Sequence, residues 1–276
     1  MTAQQDKALL FRSLHTAAAP LALANVWDAA SARIVQDAGA AAVATTSAGV
    51  AWGLGAADGD QLDRDQALAL IARVAAAVDL PVTADIESGF GATPAEVAET
   101  VTGVIAAGAV GVNIEDAHHG AGDSPLRPTG EQAERIAAAR AAAEAVGVAL
   151  YINARVDTYL SGAGDPATRL QETLTRAAAY LAAGASGVFV PGVADPLLIA
   201  GLTEVITAPL NILAGPGSPT VPELGKLGVA RVSLGSSVAQ AAYAVVQRAA
   251  RELAATGTYT ALTEATDYGS LNSLMG

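Results

Sequence analysis

An eight-fold βα barrel is the architecture this sequence predicts, on three observations. Eight short apolar, β-rich runs recur along the chain, an Ala-rich stretch of helical period follows each, and Ala-Gly pairs stand where several of those stretches end. Strand–helix alternation gives a parallel sheet, and eight units close most simply into an α/β fold of (β/α)8, or TIM-barrel, type. The 276 residues suit one such barrel domain over 1–276, and no interdomain linker interrupts them.

Residues 1–20 read as a helix that caps the barrel bottom or packs on a neighbour. The strand runs follow as Leu21–Val26, Ala41–Thr46, Pro81–Asp85, Gly111–Glu115, Leu150–Ala154, Gly187–Val190, Leu210–Leu213 and Arg231–Leu234. Most are continuously apolar, as strands buried on both faces must be. Asp28 caps a helix over Ala29–Ala38, and Thr93-Pro94 is a cap followed by Pro at the first helical position. Ala38-Gly39, Ala107-Gly108 and Ala183-Gly184 mark helix ends, since Gly accepts the left-handed conformation needed there. An open doubly wound sheet is the competing architecture. Its G-x-G-x-x-G after the first strand is absent, and Asn25-Val26-Trp27-Asp28 stands in its place. The Ala-rich tail from Ser236 onward is longer than one barrel helix requires.

Composition removes several classes of function. A net charge of −12 disfavours nucleic acid and anionic membrane surfaces. No Cys is present, which excludes thiolate catalysis, disulfides and Cys metal sites, and a reducing cytoplasm is the expected compartment. No apolar run reaches membrane-spanning length and no signal peptide is expected. The two Lys, Lys7 and Lys226, stand at no strand end, so a Schiff-base aldolase is excluded.

Barrel chemistry sits at the C-terminal ends of the strands. There the third run leads into Asp85 and Glu87, the fourth ends in Glu115-Asp116, and the fifth leads into Arg155-Val156-Asp157. Asp58 lies in the long segment after the second run. Several carboxylates stay ionised at close range only if a cation compensates them. Mg²⁺, a hard ion that keeps waters and takes a few carboxylates, suits this set better than Zn²⁺. The planar fork of Arg155 suits a carboxylate or phosphonate. Asp116 and Asp157 also have structural readings as caps of loop and turn backbone.

Four segments carry a resemblance: Asn-Val-Trp-Asp-Ala-Ala-Ser-Ala-Arg at 25–33, Thr-Ala-Asp-Ile-Glu-Ser-Gly-Phe-Gly at 83–91, Asn-Ile-Glu-Asp at 113–116 and Asn-Ala-Arg-Val-Asp at 153–157. In order and spacing the chain resembles the isocitrate lyase/phosphoenolpyruvate mutase superfamily. The resemblance implies Asp85 as the main Mg²⁺ ligand, with Asp58, Glu87 and Glu115 holding metal-bound waters. It implies that the Thr46-Ser47-Ala48 loop binds a substrate carboxylate through backbone N–H groups while Arg155 grips it from the other side. It implies a gate near 117–127, dimers of dimers with exchanged C-terminal helices, and cleavage of a C–C or C–P bond beside an oxo-acid unit through an enolate that Mg²⁺ stabilises.

The gate lacks the Cys general acid of the isocitrate and methylisocitrate lyases, which points to members similar to oxaloacetate decarboxylase or phosphonopyruvate hydrolase. His118 and His119 are the titratable groups that could replace it. The expected activity is therefore an Mg²⁺-dependent C–C lyase or decarboxylase. Its expected substrate is a small 2-oxo carboxylate, a 2-oxo dicarboxylate or a substituted malate- or isocitrate-like acid. The alternatives are C–P cleavage of a phosphonopyruvate-like substrate and a non-catalytic 2-oxo acid binder. A sugar-phosphate enzyme would hold its anion at Gly215-Pro216-Gly217-Ser218 or Gly235-Ser236-Ser237, which read better as helix caps.

Overall fold

The computed structural model describes residues 2–119 and 124–276. Its strands are β1 (Leu21–Leu23), β2 (Val43–Ala44), β3 (Val82–Asp85), β4 (Gly111–Glu115), β5 (Tyr151–Arg155), β6 (Gly187–Val190), β7 (Leu210–Leu213) and β8 (Arg231–Ser233). All ladders are parallel, and the sheet runs β1-β8-β7-β6-β5-β4-β3-β2. A parallel bridge between Val26 and Thr45 joins the two ends of that order and closes the barrel. The seam is held by Val26 N–H to Ala44 O at 2.8 Å, Thr46 N–H to Val26 O at 2.9 Å and Asn25 Nδ2 to Thr45 O at 3.0 Å.

The helices are α1 (Ala3–Ser13), α2 (Ala29–Asp37), α3 (Ser47–Gly53), α4 (Arg64–Ala77), α5 (Pro94–Ala106), α6 (Thr129–Ala145), α7 (Arg169–Ala182), α8 (Pro196–Val205), α9 (Val221–Lys226), α10 (Ser237–Thr256) and α11 (Tyr268–Met275). Asp28 caps α2 as expected, and Thr93 and Glu96 form a reciprocal capping box on α5. The three Ala-Gly pairs do end helices: Ala38, Ala107 and Ala183 are C-caps, and the glycines after them have φ of +87°, +97° and +104°. Two expectations change. The segment after β2 folds into a helix, α3, instead of remaining a loop. The 215–218 segment is a turn closed by Ser218 N–H to Gly215 O at 3.0 Å, and Thr220 is the cap of the helix that follows.

The N-terminal helix closes the bottom of the barrel. Phe11 meets the Tyr151 ring edge-on at 5.5 Å, and Gln5 accepts from Ala149 N–H at 2.9 Å. His15, just after α1, stacks on Tyr151 at 3.9 Å between centroids. Inside the barrel the middle of the stack is polar: Asn153 Nδ2 donates to Asn113 Oδ1 at 2.6 Å, and Asn211 bonds Ser233 at 3.2 Å. The helices cover the outside with Val97, Val101, Ile136, Ala177, Ile199 and their neighbours, all buried. The tail behaves differently: of the 20 residues of α10 only Ala239 is buried.

Candidate active site

Two residues apart on a strand means the same face. Asn113 and Asn153 point inward, so Glu115 and Arg155, one layer higher and paired in register, also face the barrel axis at its C-terminal mouth. Asp85, at the end of β3, joins them. Arg155 Nη1 lies 2.5 Å from Glu115 Oε2. Its Nε and Nη2 donate to Asp157 Oδ1 and Oδ2 at 2.7 and 2.9 Å. A guanidinium carries five N–H donors, so two remain for a ligand. Asp157 therefore braces Arg155, a role the sequence reading missed in favour of a turn cap. The two-residue spacing was the available signal, since it places both side chains on one side of an extended segment.

Glu87 and its loop are shaped by strain. Glu87 and Phe90 adopt φ of +51° and +49°, in the left-handed region that residues with a Cβ avoid. Arg135, fully buried on α6, holds the loop by donating to Ser88 O at 2.6 Å, Gly91 O at 2.7 Å and Ala92 O at 3.2 Å. The Glu87 carboxylate accepts from Gly59 N–H at 3.0 Å and from Asp60 N–H. Asp60 in turn accepts from the Ser88 backbone at 3.3 Å. The loops after β2 and β3 are thereby tied together across the rim. A cavity of about 580 Å³ opens beside them, lined by Asp60, Ser88, Phe90 and Arg127 among others. A cavity of about 520 Å³ at the opposite end, lined by His15 and Lys226, holds none of the predicted site residues.

The acids do not share one state. Burial is the main cause that pushes Asp85 up to about 6, with Glu115 and Asp58 adding repulsion and Arg155 opposing it. Burial likewise drives Glu87 up to about 8 against the stabilising backbone bond from Asp60. Asp58 stands on the exposed rim, and its carboxyl is also raised, first by desolvation, while Ser47 beside it pulls the other way. Glu115 goes the opposite way. Burial resists its charge, yet Arg155 and His119 hold it below the usual carboxylate range.

The predicted His pair divides. His119 Nε2 donates to Glu115 Oε1 at 2.6 Å, and this bond raises its pKa. The His118 side chain makes no hydrogen bond among the described residues; its backbone N–H donates to Pro125 O at 2.8 Å. Residues 120–123 of the expected gate lie outside the described residues, while Ala117 and Leu126 pair antiparallel at its base. Asp116 is structural, as its alternative reading had it. It accepts from Asp157 N–H at 2.8 Å, Tyr180 Oη at 2.8 Å and Arg176 Nη1 at 3.1 Å.

The expected carboxylate cradle needs one correction. Thr46 N–H is committed to the seam, bonded to Val26 O. Ser47 and Ala48 are the first two residues of α3, whose first backbone bond is Val50 N–H to Thr46 O. Their N–H groups therefore point out of the helix start without an internal partner. The N–H groups left without a partner at the helix start are thus those of Ser47 and Ala48, and Thr46 is the N-cap.

Among the described residues no three His, Asp or Glu side chains surround one point as a complete cage. The donor set at the mouth is nonetheless all oxygen, Asp85 with Glu87, Glu115 and Asp58 around it, which is the chemistry a hard dication with retained waters accepts. Among the described residues one Asp85 carboxylate oxygen has no hydrogen-bond partner, and the other accepts from Glu87 N–H at 3.2 Å. The surplus of acids over Arg155 and His119 fits the same ion.

Over residues 11–254 the chain matches the family model for phosphoenolpyruvate phosphomutase. The chain belongs to that family. Within it, similarity extends to a solved structure from Burkholderia cenocepacia J2315 described as a candidate lyase/mutase. The two are 42% identical over 98% of this chain and 96% of the other, with a TM-score of 0.91. A second structure from the same organism, described as a candidate phosphonomutase, is 47% identical over 89% of this chain and 99% of the other, with a TM-score of 0.85. Oxaloacetate decarboxylase 2 of Pseudomonas putida strain W619 is 32% identical over 76% of this chain and 68% of that one. The phosphoenolpyruvate phosphomutase family sits in the isocitrate lyase/phosphoenolpyruvate mutase superfamily that the four motifs resemble, and the lyases among these relatives mark the chain as an enzyme of it.

Proposed function

We propose that the protein is an Mg²⁺-dependent carbon–carbon lyase that cleaves a bond beside a 2-oxo carboxylate unit. One observation carries the reading. Asp85, Glu87, Glu115 and Arg155 gather at the barrel mouth, at whose rim α3 begins with the N–H groups of Ser47 and Ala48, which have no partner within the helix. A 2-oxo acid has a carboxylate and an adjacent oxo oxygen, which matches a fork, a pair of N–H donors and a cation ligand placed around one point. Mg²⁺, when bound at Asp85, supplies electrostatic stabilisation of the negative charge that develops on the oxo oxygen. Arg155, braced by Asp157, holds the substrate carboxylate in a fixed plane. Ser47 and Ala48 bind its other oxygen. Glu87, Glu115 and Asp58 would hold the waters around a cation bound there. His119, with its pKa raised by Glu115, holds a proton at Nε2 and is placed to serve as the acid that the gate otherwise lacks.

The relative named for oxaloacetate decarboxylation supports C–C cleavage. The structure described as a candidate phosphonomutase favours a second reading, C–P chemistry, and release of phosphate from phosphonopyruvate would identify it. The proposed assembly is a homo-oligomer, a dimer or tetramer with exchanged C-terminal segments. In its favour, most of α10 is exposed, with Val246 and Leu253 at 63% and 60% and Tyr268 of α11 at 84%. A small, soluble, cytoplasmic enzyme is the setting that this reading expects; among the described residues no helix is long and apolar enough to cross a membrane.

Calorimetry with oxalate, an enolate mimic, tests the proposal. Oxalate should bind with Mg²⁺ and lose that affinity in excess chelator, and Arg155→Lys should weaken it about tenfold or more, because a point charge cannot replace the fork. Equal affinity with metal and with chelator would end this reading.

A further inference from the structure

The ends of β3 and β4 share a bracket, and it lies on α6. Gln132 and Arg135 stand three residues apart on one face of that helix, and both are fully buried. Gln132 Nε2 donates to Glu115 O at 3.0 Å. Arg135 donates to Ser88 O, Gly91 O and Ala92 O, the carbonyls of the loop that begins at Glu87. Glu115 N–H donates to Glu87 O at 2.9 Å, so the two acids are also joined to each other. One helix face thus holds the main chain on which both acids stand.

The choice of an arginine for this task is informative. Among the described residues nothing else donates to Ser88 O, Gly91 O or Ala92 O. Among them Arg135 forms no ion pair either. Its charge meets carbonyl oxygens, and burial, followed by repulsion from Arg127, lowers its pKa. A buried cation without a carboxylate partner is a costly way to tie a loop. What it provides is a rigid planar fork that gathers three carbonyls at once. Those carbonyls belong to a segment in which Glu87, Gly89 and Phe90 have φ of +51°, +105° and +49°. Residues with a Cβ leave that region when nothing holds them, and the Glu87 carboxylate would move with its backbone. That carboxylate also carries the neighbouring rim. Gly59 and Asp60 N–H both donate to it, and Asp58 stands directly before them in the chain.

We propose that Gln132 and Arg135 are positioning residues that set the spacing of Glu87 and Glu115, and through Glu87 the place of the Asp58–Asp60 segment. This rests on the reading under Proposed function that Mg²⁺ binds at Asp85 with its waters held by those acids. Arg135 acts through Glu87, and Gln132 acts through Glu115. Groups that orient the surroundings of an ion in this way change its affinity without touching it.

Arg135→Met tests the bracket by two readouts. In the metal-free protein, amide exchange at Gly59 and Asp60 should quicken about tenfold or more, although Arg135 touches neither. Mg²⁺ affinity, measured by calorimetry, should fall about tenfold. In a Glu87→Ala background the same substitution should change that affinity less than about twofold, because the group it positions is gone. If Arg135→Met fails to fold, Arg135→Lys and Gln132→Met decide. The first keeps the charge without the fork and should quicken the same two amides. The second leaves no charge behind and should weaken Mg²⁺ about tenfold through Glu115. A lower melting temperature with exchange and Mg²⁺ affinity unchanged would make the bracket merely structural and overturn the inference. An equal loss of affinity with and without the Glu87 carboxylate would also overturn it. Both of those outcomes leave the proposed function standing. Failure of the wild type itself to bind Mg²⁺ would overturn the proposed function and this inference with it.

Discussion

The two ends of the barrel bury charge of opposite sign by opposite means. At the mouth, several carboxylates surround Arg155, and burial pushes Asp85 and Glu87 toward their neutral forms. At the bottom, Arg231 is 2% exposed, and among the described residues its side chain makes a single hydrogen bond, from Nε to Ser233 Oγ at 3.3 Å. Burial lowers its pKa to about 10. His15 beside it is kept neutral, pushed down to about 3 first by burial and then by Arg231, while its Nδ1 bonds Phe11 O at 2.8 Å. The bottom is plugged by α1 through Phe11, and His15 Nε2, Tyr151 Oη and Arg231 Nη1 are buried there without a hydrogen-bond partner among the described residues. The mouth leaves donors and acceptors unused. The difference separates an end where aromatic rings and burial enclose one guanidinium and a neutral imidazole from an end where several carboxylates gather around Arg155, and low dielectric alone explains neither.

The sharpest way to break this comparison is Asp85→Ala. It should abolish Mg²⁺ binding and with it activity, while the fold persists. Metal affinity that survives the substitution, measured by calorimetry, would remove the mouth's need for a cation. At the other end, Phe11→Ala should cost about 3–5 kcal/mol of stability by opening a cavity under Tyr151. Denaturant unfolding would show that loss, and kcat of the remaining folded enzyme should not change.

Acidity should then act on the two ends in opposite directions. His15 has a folded pKa below its unfolded value, so its contribution is complete above pH 6.5 and is lost as pH falls toward 3. Asp85 and Glu87 have folded values raised to about 6 and about 8, so their contribution is complete at low pH and is lost as pH rises through those values. Melting temperature of the metal-free protein against pH should therefore fall on both sides. Mg²⁺ should restore the alkaline side only, because it binds the deprotonated acids. His15→Gln should flatten the acid side. The smallest effect belongs to Gly39→Ala, where space is open but φ is +87°; about 1 kcal/mol of strain is expected, with no change in catalysis.

Much of this was legible before any coordinates. Continuous apolar runs give buried parallel strands, and Ala-Gly ends give helix stops, because both depend on local chemistry. Carboxylates at strand ends were visible for the same reason. What escaped depended on long-range placement. Nothing near Thr46 in the sequence says that its N–H is committed to β1, since that bond exists only once the ring closes. The clamp of Arg135 on the loop after Glu87 spans more than 40 residues and has no local signature. The likeness of His118 and His119 in sequence conceals their different partners, the Glu115 carboxylate for the side chain of one and none among the described residues for that of the other.

The seam between β1 and β2 has a consequence for the timescale of ligand capture. Seven of the eight junctions are strand ladders, while this one rests on a single bridge and its few bonds. The amides of Val26 and Thr46 are thus the ring's least cooperative closure, and they adjoin the two N–H groups proposed to receive the substrate. A fluctuation that parts the seam also displaces those groups, so amide exchange at Val26 and Thr46 reports directly on the readiness of the site. A ligand that holds Ser47 and Ala48 acts as a rivet across the weakest joint of the ring, slowing exchange at residues it never touches.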